Sequence, residues 1–246
     1  LYIYGALKEV LRGSEYLAVA AAIVSELAKT SEYQVVITRT KKMYDSMKES
    51  HPFLTSSEDS SLAALLALSD LDDEHIENEM EKCYKILKPE FSSANAVQSL
   101  SHVLALGAGT AEEKCRKVID IYAYLKDNGY KYGKGYELPT LGVLTMLDVD
   151  IKTLADNIMY VDDYLKQQKE FGSFGIGSKQ RLMYSAMIVS SEYFDEGNER
   201  DEKSAQAINT AALNSVVSLV IAQQVAICAA IAASSAAAAA ASSSSS

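Results

Sequence analysis

The chain has 246 residues, with 23 Lys and Arg against 33 Asp and Glu, which gives a net charge of −10. This acidic balance excludes the basic surface that a nucleic-acid backbone requires, so we expect no nucleic-acid partner. Only 12 Gly and 3 Pro interrupt a composition rich in helix-forming residues. The composition therefore favours an all-α protein that is long enough to bury a sizeable core.

A Leu-Lys or Met-Lys pair recurs along the chain, and an aromatic residue follows each pair within a few positions. The pairs end at Lys48, Lys88, Lys126 and Lys166. A period of roughly 40 residues is typical of helical-repeat proteins. The sequence therefore predicts stacked helical-hairpin repeats, an α-solenoid-like array in which each hairpin buries its apolar side only against its neighbours.

Each predicted unit contains a short apolar helix followed by a longer helix with one apolar stripe. The stripes recur every three or four residues within 76–87, 115–125 and 151–165, which is helical periodicity. Thr110 with Glu113, and Ser56 with Asp59, have the spacing of helix N-terminal caps. The predicted units have these bounds: about 1–52, 53–91, 92–132, 133–172 and 173–200.

The C-terminal segment, residues 201–246, differs from the array. No charged residue occurs from Ser204 onward, and apolar residues keep helical spacing in an Ala/Ser-rich background. We predict a long helix with a low-complexity tail that packs on the array. A membrane span within 215–233 and a self-associating helix that forms a homo-oligomer are the alternatives. Gln223 and Gln224 in the middle of the apolar stretch argue against the span.

The three cysteines lack the spacing of a metal site. Cys83 and Cys115 fall on apolar stripes, Cys228 lies in the C-terminal segment, and no CxxC motif occurs. We therefore expect buried, reduced thiols in a cytoplasmic protein, and neither a metal nor a cofactor. The sequence also lacks the pattern of a secretory signal peptide.

The glycine-rich stretch 172–177 superficially resembles a phosphate-binding loop. Ser178-Lys179 reverses the residue order that such a loop needs, however, and no strand is predicted before it. We expect a simple connection with Ser178 at the start of the next helix. Ser178, Lys179 and Arg181 remain a weak candidate for binding an anion at that helix start.

Polar residues at the N-terminal turns of the short helices are the candidate binding site, because these turns should align along one edge of an array. His102 stands where other units carry the apolar Ala64 and Val143. Two simpler interpretations remain open: solvated turn residues, and a satisfied structural histidine at position 102. The candidate residues of this predicted polar groove are Glu58, Asp59, Gln98, His102, Glu137, Gln180, Arg181 and Tyr184.

Five short strings resemble a bacterial family known as domain of unknown function 4003. The resemblance covers most of the chain, including its Ala/Ser-rich end. It implies a cytosolic bacterial protein but no activity, and it assigns no catalytic residues. The strings are His51-Pro-Phe-Leu-Thr55, Glu58-Asp59, Gln98-Ser-Leu-Ser-His102, Tyr136-Glu-Leu-Pro139 and Lys179-Gln-Arg-Leu-Met-Tyr184.

The expected function is a binding scaffold that holds a peptide, a protein or a small ligand on the concave face of the array. One alternative is an enzyme or metal-binding protein that uses the carboxylates and His102 of the polar groove. A second alternative is a protein that associates with a membrane, or with itself, through the C-terminal helix. We do not expect an enzyme.

Overall fold

The computed structural model of the protein describes residues 1–172 and 176–200, apart from the side chains of Glu15 and of residues 194–200. This part of the chain contains ten α-helices and no strand, which confirms the all-α class. A single 3-10 turn, Thr30–Glu32, precedes the third helix. The helices are α1 Tyr2–Val10, α2 Glu15–Leu27, α3 Tyr33–Ser50, α4 Asp59–Leu68, α5 Asp73–Leu87, α6 Ala94–Leu104, α7 Ala111–Asp127, α8 Pro139–Leu144, α9 Ile151–Lys166 and α10 Ser178–Arg200.

Local signals in the sequence account for several helix ends. At the start of α7 the Thr110 hydroxyl accepts a hydrogen bond from the Glu113 N–H at 3.2 Å, and the Glu113 carboxylate accepts from the Thr110 N–H at 2.9 Å. This reciprocal cap is the one that the sequence predicts. After α7 the chain turns at Gly129, whose φ of +90° favours a residue without a Cβ.

The helices contact one another in two rows. The even-numbered helices touch in series from α2 to α10, and the odd-numbered helices touch in series from α3 to α9. Helix α1 packs on α2 and α3. Hairpins stacked side by side would produce such rows, but the repeat array and its unit bounds remain predictions.

Helix α4 has no solvated face. Every residue from Asp59 to Ala67 is buried, including the polar Asp59, Ser60 and Ser61. Its apolar residues divide between two core clusters, a small one around α1–α3 and a large one that extends to α10. Polar groups at the start of α4 must therefore find their partners within the protein.

Two predictions concern the thiols and the C-terminal segment. Cys83 and Cys115 are free and buried, as predicted. Cys228 and the predicted helix within 201–246 lie outside the described residues. Among the helices that are described, none is both long enough and apolar enough to cross a membrane.

Gly142 tests the close approach of α8 to α6. A Cβ at this position would lie 2.9 Å from Leu100 Cδ1 and 3.0 Å from Val103 Cγ1. Because these side chains would have to move, Gly142→Ala should lower the free energy of unfolding by about 1–3 kcal/mol in urea denaturation.

Gly5 is the matched control, because it is also helical but a Cβ there would meet nothing within 4 Å. Gly5→Ala should stabilise the protein by up to ~1 kcal/mol, since alanine is the better helix former. Equal effects of the two substitutions would contradict the packing of α8 against α6.

Candidate functional site

The structure places the eight predicted site residues at three separate positions. Glu137 lies just before α8 and belongs to its own loop. Four residues meet where the connection from α3 to α4 reaches α6, and three lie in the first two turns of α10. The first group is Glu58, Asp59, Gln98 and His102, and the second is Gln180, Arg181 and Tyr184.

The interpretation of these positions as solvated turn residues is wrong for most of them. Five of the eight residues are buried, with exposed fractions that run from 1% for Gln98 to 7% for Arg181. The buried members are Asp59, Gln98, His102, Glu137 and Arg181. Their polar groups cannot rely on bulk water for hydrogen bonds.

Hydrogen bonds fix the orientation of the Gln98 amide. The Thr55 hydroxyl donates to the Met47 carbonyl at 2.9 Å, so its oxygen is left to accept from Gln98 Nε2 at 2.7 Å. The amide carbonyl therefore points away from Thr55. This Gln98 Oε1 is buried and has no hydrogen-bond partner in the described part of the chain. We call Thr55, Asp59, Gln98 and His102 the polar cluster.

Thr55 is a member of this cluster that the site prediction missed. It lies in the turn between α3 and α4, outside the predicted helix starts, and it is only 3% exposed. The one signal that includes it is the string that begins at His51. Periodicity ignores such turn residues, because they fall between helices.

Asp59 is the first residue of α4 and a buried acid. Its Oδ2 accepts a hydrogen bond from the Ser56 N–H at 2.9 Å, so the carboxyl takes part in capping as the spacing predicts. Burial raises the pKa of Asp59 to about 7, against the lowering effect of the Ser56 N–H. Among the smaller contributions to this pKa, the negative charge of Glu58 raises it and the positive charge of Lys48 lowers it.

His102 faces Asp59 across the gap between α6 and α4. Its Nδ1 lies 3.6 Å from Asp59 Oδ1, which is too far for a hydrogen bond, and Nδ1 has no other partner among the described residues. Burial, with a smaller effect from the neighbouring His51, lowers the pKa of His102 to about 3. The interpretation as a satisfied structural histidine therefore does not hold for Nδ1.

Burial acts on the two groups in opposite directions and leaves both uncharged. Between about pH 3 and pH 7 Asp59 holds its proton and His102 lacks the second one. The folded pair thus carries a proton on the carboxyl, whereas the unfolded chain at pH 5 carries it on the imidazole. Asp59 can therefore exchange a proton with its surroundings near neutral pH while the imidazole of His102 stays uncharged.

Two surface contacts border the polar cluster. Glu58 Oε1 accepts a hydrogen bond from Asn95 Nδ2 at 3.0 Å and so joins the first turns of α4 and α6 at the solvent edge. The His51 ring lies 4.2 Å from the Tyr84 ring, and its Nε2 is 3.2 Å from Glu81 Oε1. The side chain of His51 is 19% exposed, which places it between the cluster and solvent.

Glu137 is enclosed by its own loop. Its Oε2 accepts from the Gly135 N–H at 3.0 Å. A Cβ on Gly133 would lie 2.1 Å from Glu137 Cδ, so only glycine allows this carboxyl to fold back. The carboxyl therefore organises the turn before α8 and does not join the polar cluster.

Arg181 links α10 to α9 through an ion pair with Asp162, which we call the brace. Its Nε lies 2.9 Å from Asp162 Oδ1, its Nη2 lies 3.1 Å from Asp162 Oδ2, and its Nη1 donates to the Phe171 carbonyl at 3.2 Å. Sequence reasoning missed Asp162, because this residue lies beside the apolar stripe of α9, where a solvated side chain is expected. With every arm of the guanidinium engaged, Arg181 is a structural residue.

A cavity of about 670 Å³ lies beside this brace, between the ends of α7 and α9 and the start of α10. Its lining includes Lys131, Lys166 and Ser178. Next to it, Gln180 Nε2 donates to the Tyr184 hydroxyl at 3.2 Å, and the Tyr184 ring meets Phe171 edge-on. The glycine-rich connection borders this region, and its residues 173–175 lie outside the described part of the chain.

The grouping bears on the enzyme or metal-binding alternative. This alternative needs several carboxylates together with His102 and Arg181. Of these side chains, only Asp59 and His102 face each other. No group of three His, Cys, Asp or Glu side chains within residues 1–172 and 176–200 is arranged to hold a metal ion. The residues that this alternative needs therefore lie at three separate positions and do not form one site.

Comparison with known proteins confirms the family resemblance. The sequence matches, over residues 1–225, the model of a family described as "Protein of unknown function (DUF4003)". The "Uncharacterized protein YeaA" of Bacillus subtilis (strain 168) is 28% identical over 213 residues, which span 84% of this chain and 59% of that relative. The chain thus spans less than two thirds of the relative's length. No solved structure matches.

The Arg181–Asp162 pair gives a test of the brace. Arg181→Met leaves a buried carboxylate without its partner and should lower the free energy of unfolding by about 3–5 kcal/mol. The double variant Arg181→Met/Asp162→Leu removes both charges and should recover most of that loss in urea denaturation. A double variant as unstable as Arg181→Met would contradict the structural assignment.

Replacing Asp59 with Asn tests its protonation through the pH dependence of stability. Because the pKa of Asp59 rises from 3.8 to about 7, its contribution to folding is complete below pH 4 and is lost as the pH rises to about 7. The free energy of unfolding of the wild type should therefore fall, relative to that of Asp59→Asn, by on the order of 4 kcal/mol between pH 4 and pH 7. Urea titrations across this range measure the difference.

Thr55→Val is the control, because it removes a hydrogen bond from the same cluster but no ionisable group. Its difference from the wild type should stay constant over the same pH range. A constant difference for Asp59→Asn as well would show that Asp59 does not hold a proton in the folded chain.

Proposed function

This chain belongs to the DUF4003 family of proteins of unknown function, and from its polar cluster we propose that it is a helical-repeat scaffold that binds a peptide, a protein or a small ligand. The proposal places recognition at the edge where the α3–α4 connection meets α6. It keeps the cytoplasmic location and the concave binding face that the sequence predicts.

The helix contacts support the scaffold part of this proposal. Helices that touch in series, α2 to α10 in one row and α3 to α9 in the other, present a long continuous surface. Repeat arrays commonly use such surfaces for binding, because each added unit extends the area available to a partner. Architecture alone does not specify a ligand, so the argument for binding depends on the polar cluster.

One observation carries the binding role: Gln98 Oε1 and His102 Nδ1 are both buried and unpaired within the described part of the chain. Each such atom costs about 1–3 kcal/mol relative to a paired one. The cost at Gln98 cannot be relieved by rotating the amide, because Thr55 donates elsewhere and accepts only from the Nε2 group. A ligand that pairs these atoms would recover that free energy.

The alternatives rank below the scaffold for physical reasons. An enzyme would need more of the polar residues to converge than the Asp59–His102 pair. Association with a membrane or with a second copy through residues 204–241 would depend on a segment outside the described residues. A protein or peptide partner, or a small ligand, therefore remains the proposed occupant.

Gln98→Leu tests the proposal by removing the unpaired carbonyl while keeping a similar side-chain volume. A species captured from native bacterial lysate by the wild-type chain, and identified by mass spectrometry, should bind the variant at least about tenfold more weakly. The reason is that one buried acceptor for the ligand is lost.

The control is Gln167→Leu, which changes an exposed glutamine at the end of α9. This variant should capture the same species as the wild type. Circular dichroism and thermal unfolding confirm that both variants are folded. Equal capture by Gln98→Leu and by the wild type would overturn the assignment of the site.

A further inference from the structure

We propose that the polar cluster binds a protonated amino group of the ligand, with Gln98 Oε1, His102 Nδ1 and Asp59 Oδ1 as the acceptors. This inference deepens the proposed binding function and rests on it. It names the chemical class of the bound group, a primary ammonium, and leaves the remainder of the ligand to the surface around the cluster.

The polarity of the site follows from the hydrogen bonds around Gln98. Since the Thr55 proton is committed to the Met47 carbonyl, the Gln98 amide must direct its N–H toward Thr55 and its oxygen away from Thr55. An atom bound at Gln98 Oε1 must therefore be a donor. This excludes the oxygens of a carboxylate or a phosphate from that position.

The acceptors lie on facing elements. Gln98 and His102 are four residues apart on α6 and so share one face of that helix. Asp59 lies across from them on α4, with Oδ1 at 3.6 Å from His102 Nδ1. This separation is too long for direct pairing. The proposed role requires the neutral imidazole to carry its proton on Nε2, so that Nδ1 and Asp59 Oδ1 can both accept from one bridging donor. An ammonium nitrogen has three N–H bonds and can donate to each of the three acceptors.

The electrostatics of the cluster favour a cation. The charged or titratable groups around Asp59 are Glu58 beside it, Tyr44, Lys48 and His51 from the α3 side, and His102 on α6. Lys48 is the cation among them, but its ammonium donates to the carbonyls of Pro52 and Thr55 at 2.6 and 2.8 Å. Within residues 1–172 and 176–200 the buried Asp59 carboxyl thus has no Lys or Arg in direct contact, and a bound ammonium would supply a cation. The net charge of −10 also attracts cations to the protein.

An ammonium fits the carboxyl better than a guanidinium or a metal ion does. Asp59 Oδ2 already accepts from the Ser56 N–H, so Oδ1, the oxygen nearer to His102, is the one that we assign to the bound group. A guanidinium prefers both oxygens of a carboxylate, whereas an ammonium acts as a compact point charge that needs one. A divalent metal would need a third strong ligand, and the described side chains provide none around the Asp59–His102 pair.

We place the entry of the amino group at the connection between α3 and α4, because a residue of that connection belongs to the cluster. Thr55 belongs to this connection, and His51 at its start is partly exposed. The Glu58–Asn95 contact marks the solvent edge on the other side. The terminal amino group of a longer ligand would occupy the cluster while its body remains at this edge.

The test titrates the full chain with methylammonium chloride at constant ionic strength in a calorimeter. Tetramethylammonium, which carries the same charge but has no N–H, is the control probe. Methylammonium should bind, and tetramethylammonium should not. Because ammonium binding needs ionised Asp59, the affinity should rise by about tenfold per pH unit up to about pH 7 and then level off.

Proton release identifies the group involved. Titrations at pH 6 in two buffers of different ionisation enthalpy should show close to one proton released per methylammonium bound, and the same pair at pH 8.5 should show almost none. Asp59→Asn should abolish the proton release and weaken binding at least about tenfold. Gln98→Leu should weaken binding by a similar factor but keep the proton release. Gln167→Leu should behave as the wild type does.

Several results would overturn the inference: no methylammonium binding to the folded chain at any pH, equal binding of tetramethylammonium, or full binding by Gln98→Leu. If Asp59→Asn does not fold, Gln98→Leu and the two probes still decide the question. The two probes and the captured partner report separately on the ammonium assignment and on the scaffold. If Gln98→Leu loses the captured partner while methylammonium does not bind, the scaffold stands and the ligand class is wrong.

Discussion

Complete burial of α4 is the constraint on which the candidate site depends. A helix whose start is removed from water cannot hydrate the polar groups of its first turn, and these groups must be paired, neutralised or left to a ligand. At Asp59 the carboxyl accepts from the Ser56 N–H, and burial raises its pKa to about 7, which favours the uncharged form. On the facing helix, Gln98 is paired on its amide nitrogen alone, and His102 is uncharged. The same burial that stabilises the core therefore leaves Gln98 Oε1 and His102 Nδ1 without a hydrogen-bond partner among the described residues.

Two pairs of buried charged residues in the described part of the chain are neutralised by direct contact. Arg181 and Asp162 meet through two hydrogen bonds, and the Lys114 ammonium lies 2.9 Å from Glu79 and 3.1 Å from the Gly107 carbonyl. Such pairs offset the desolvation of both partners when their geometry is good. Asp59 differs, because it faces a neutral imidazole rather than a cation. This contrast separates the two structural ion pairs from the polar cluster, for which we propose a binding role.

The family and the fold class could be predicted because they depend on local patterns. The lysine-marked periodicity places the ends of α3, α5, α7 and α9 correctly, and the Thr110 cap is present as the spacing requires. Part of the site could also be predicted, since His102 breaks an apolar repeat position. Thr55 and Asp162 could not, because a turn residue and a polar residue beside a stripe carry no periodic signal.

The sequence by itself determined the helical composition, the helix ends and the set of polar residues near the starts of the short helices, because each of these follows from propensity and spacing within one segment. Only the tertiary structure decided which of those residues meet. It grouped Asp59 with Gln98 and His102, enclosed Glu137 in its own loop and gave Arg181 to Asp162. It also set the orientation of the Gln98 amide and the protonation of Asp59. These properties depend on the register between neighbouring helices and on the loss of water between them, and neither is encoded in the periodicity of a single helix.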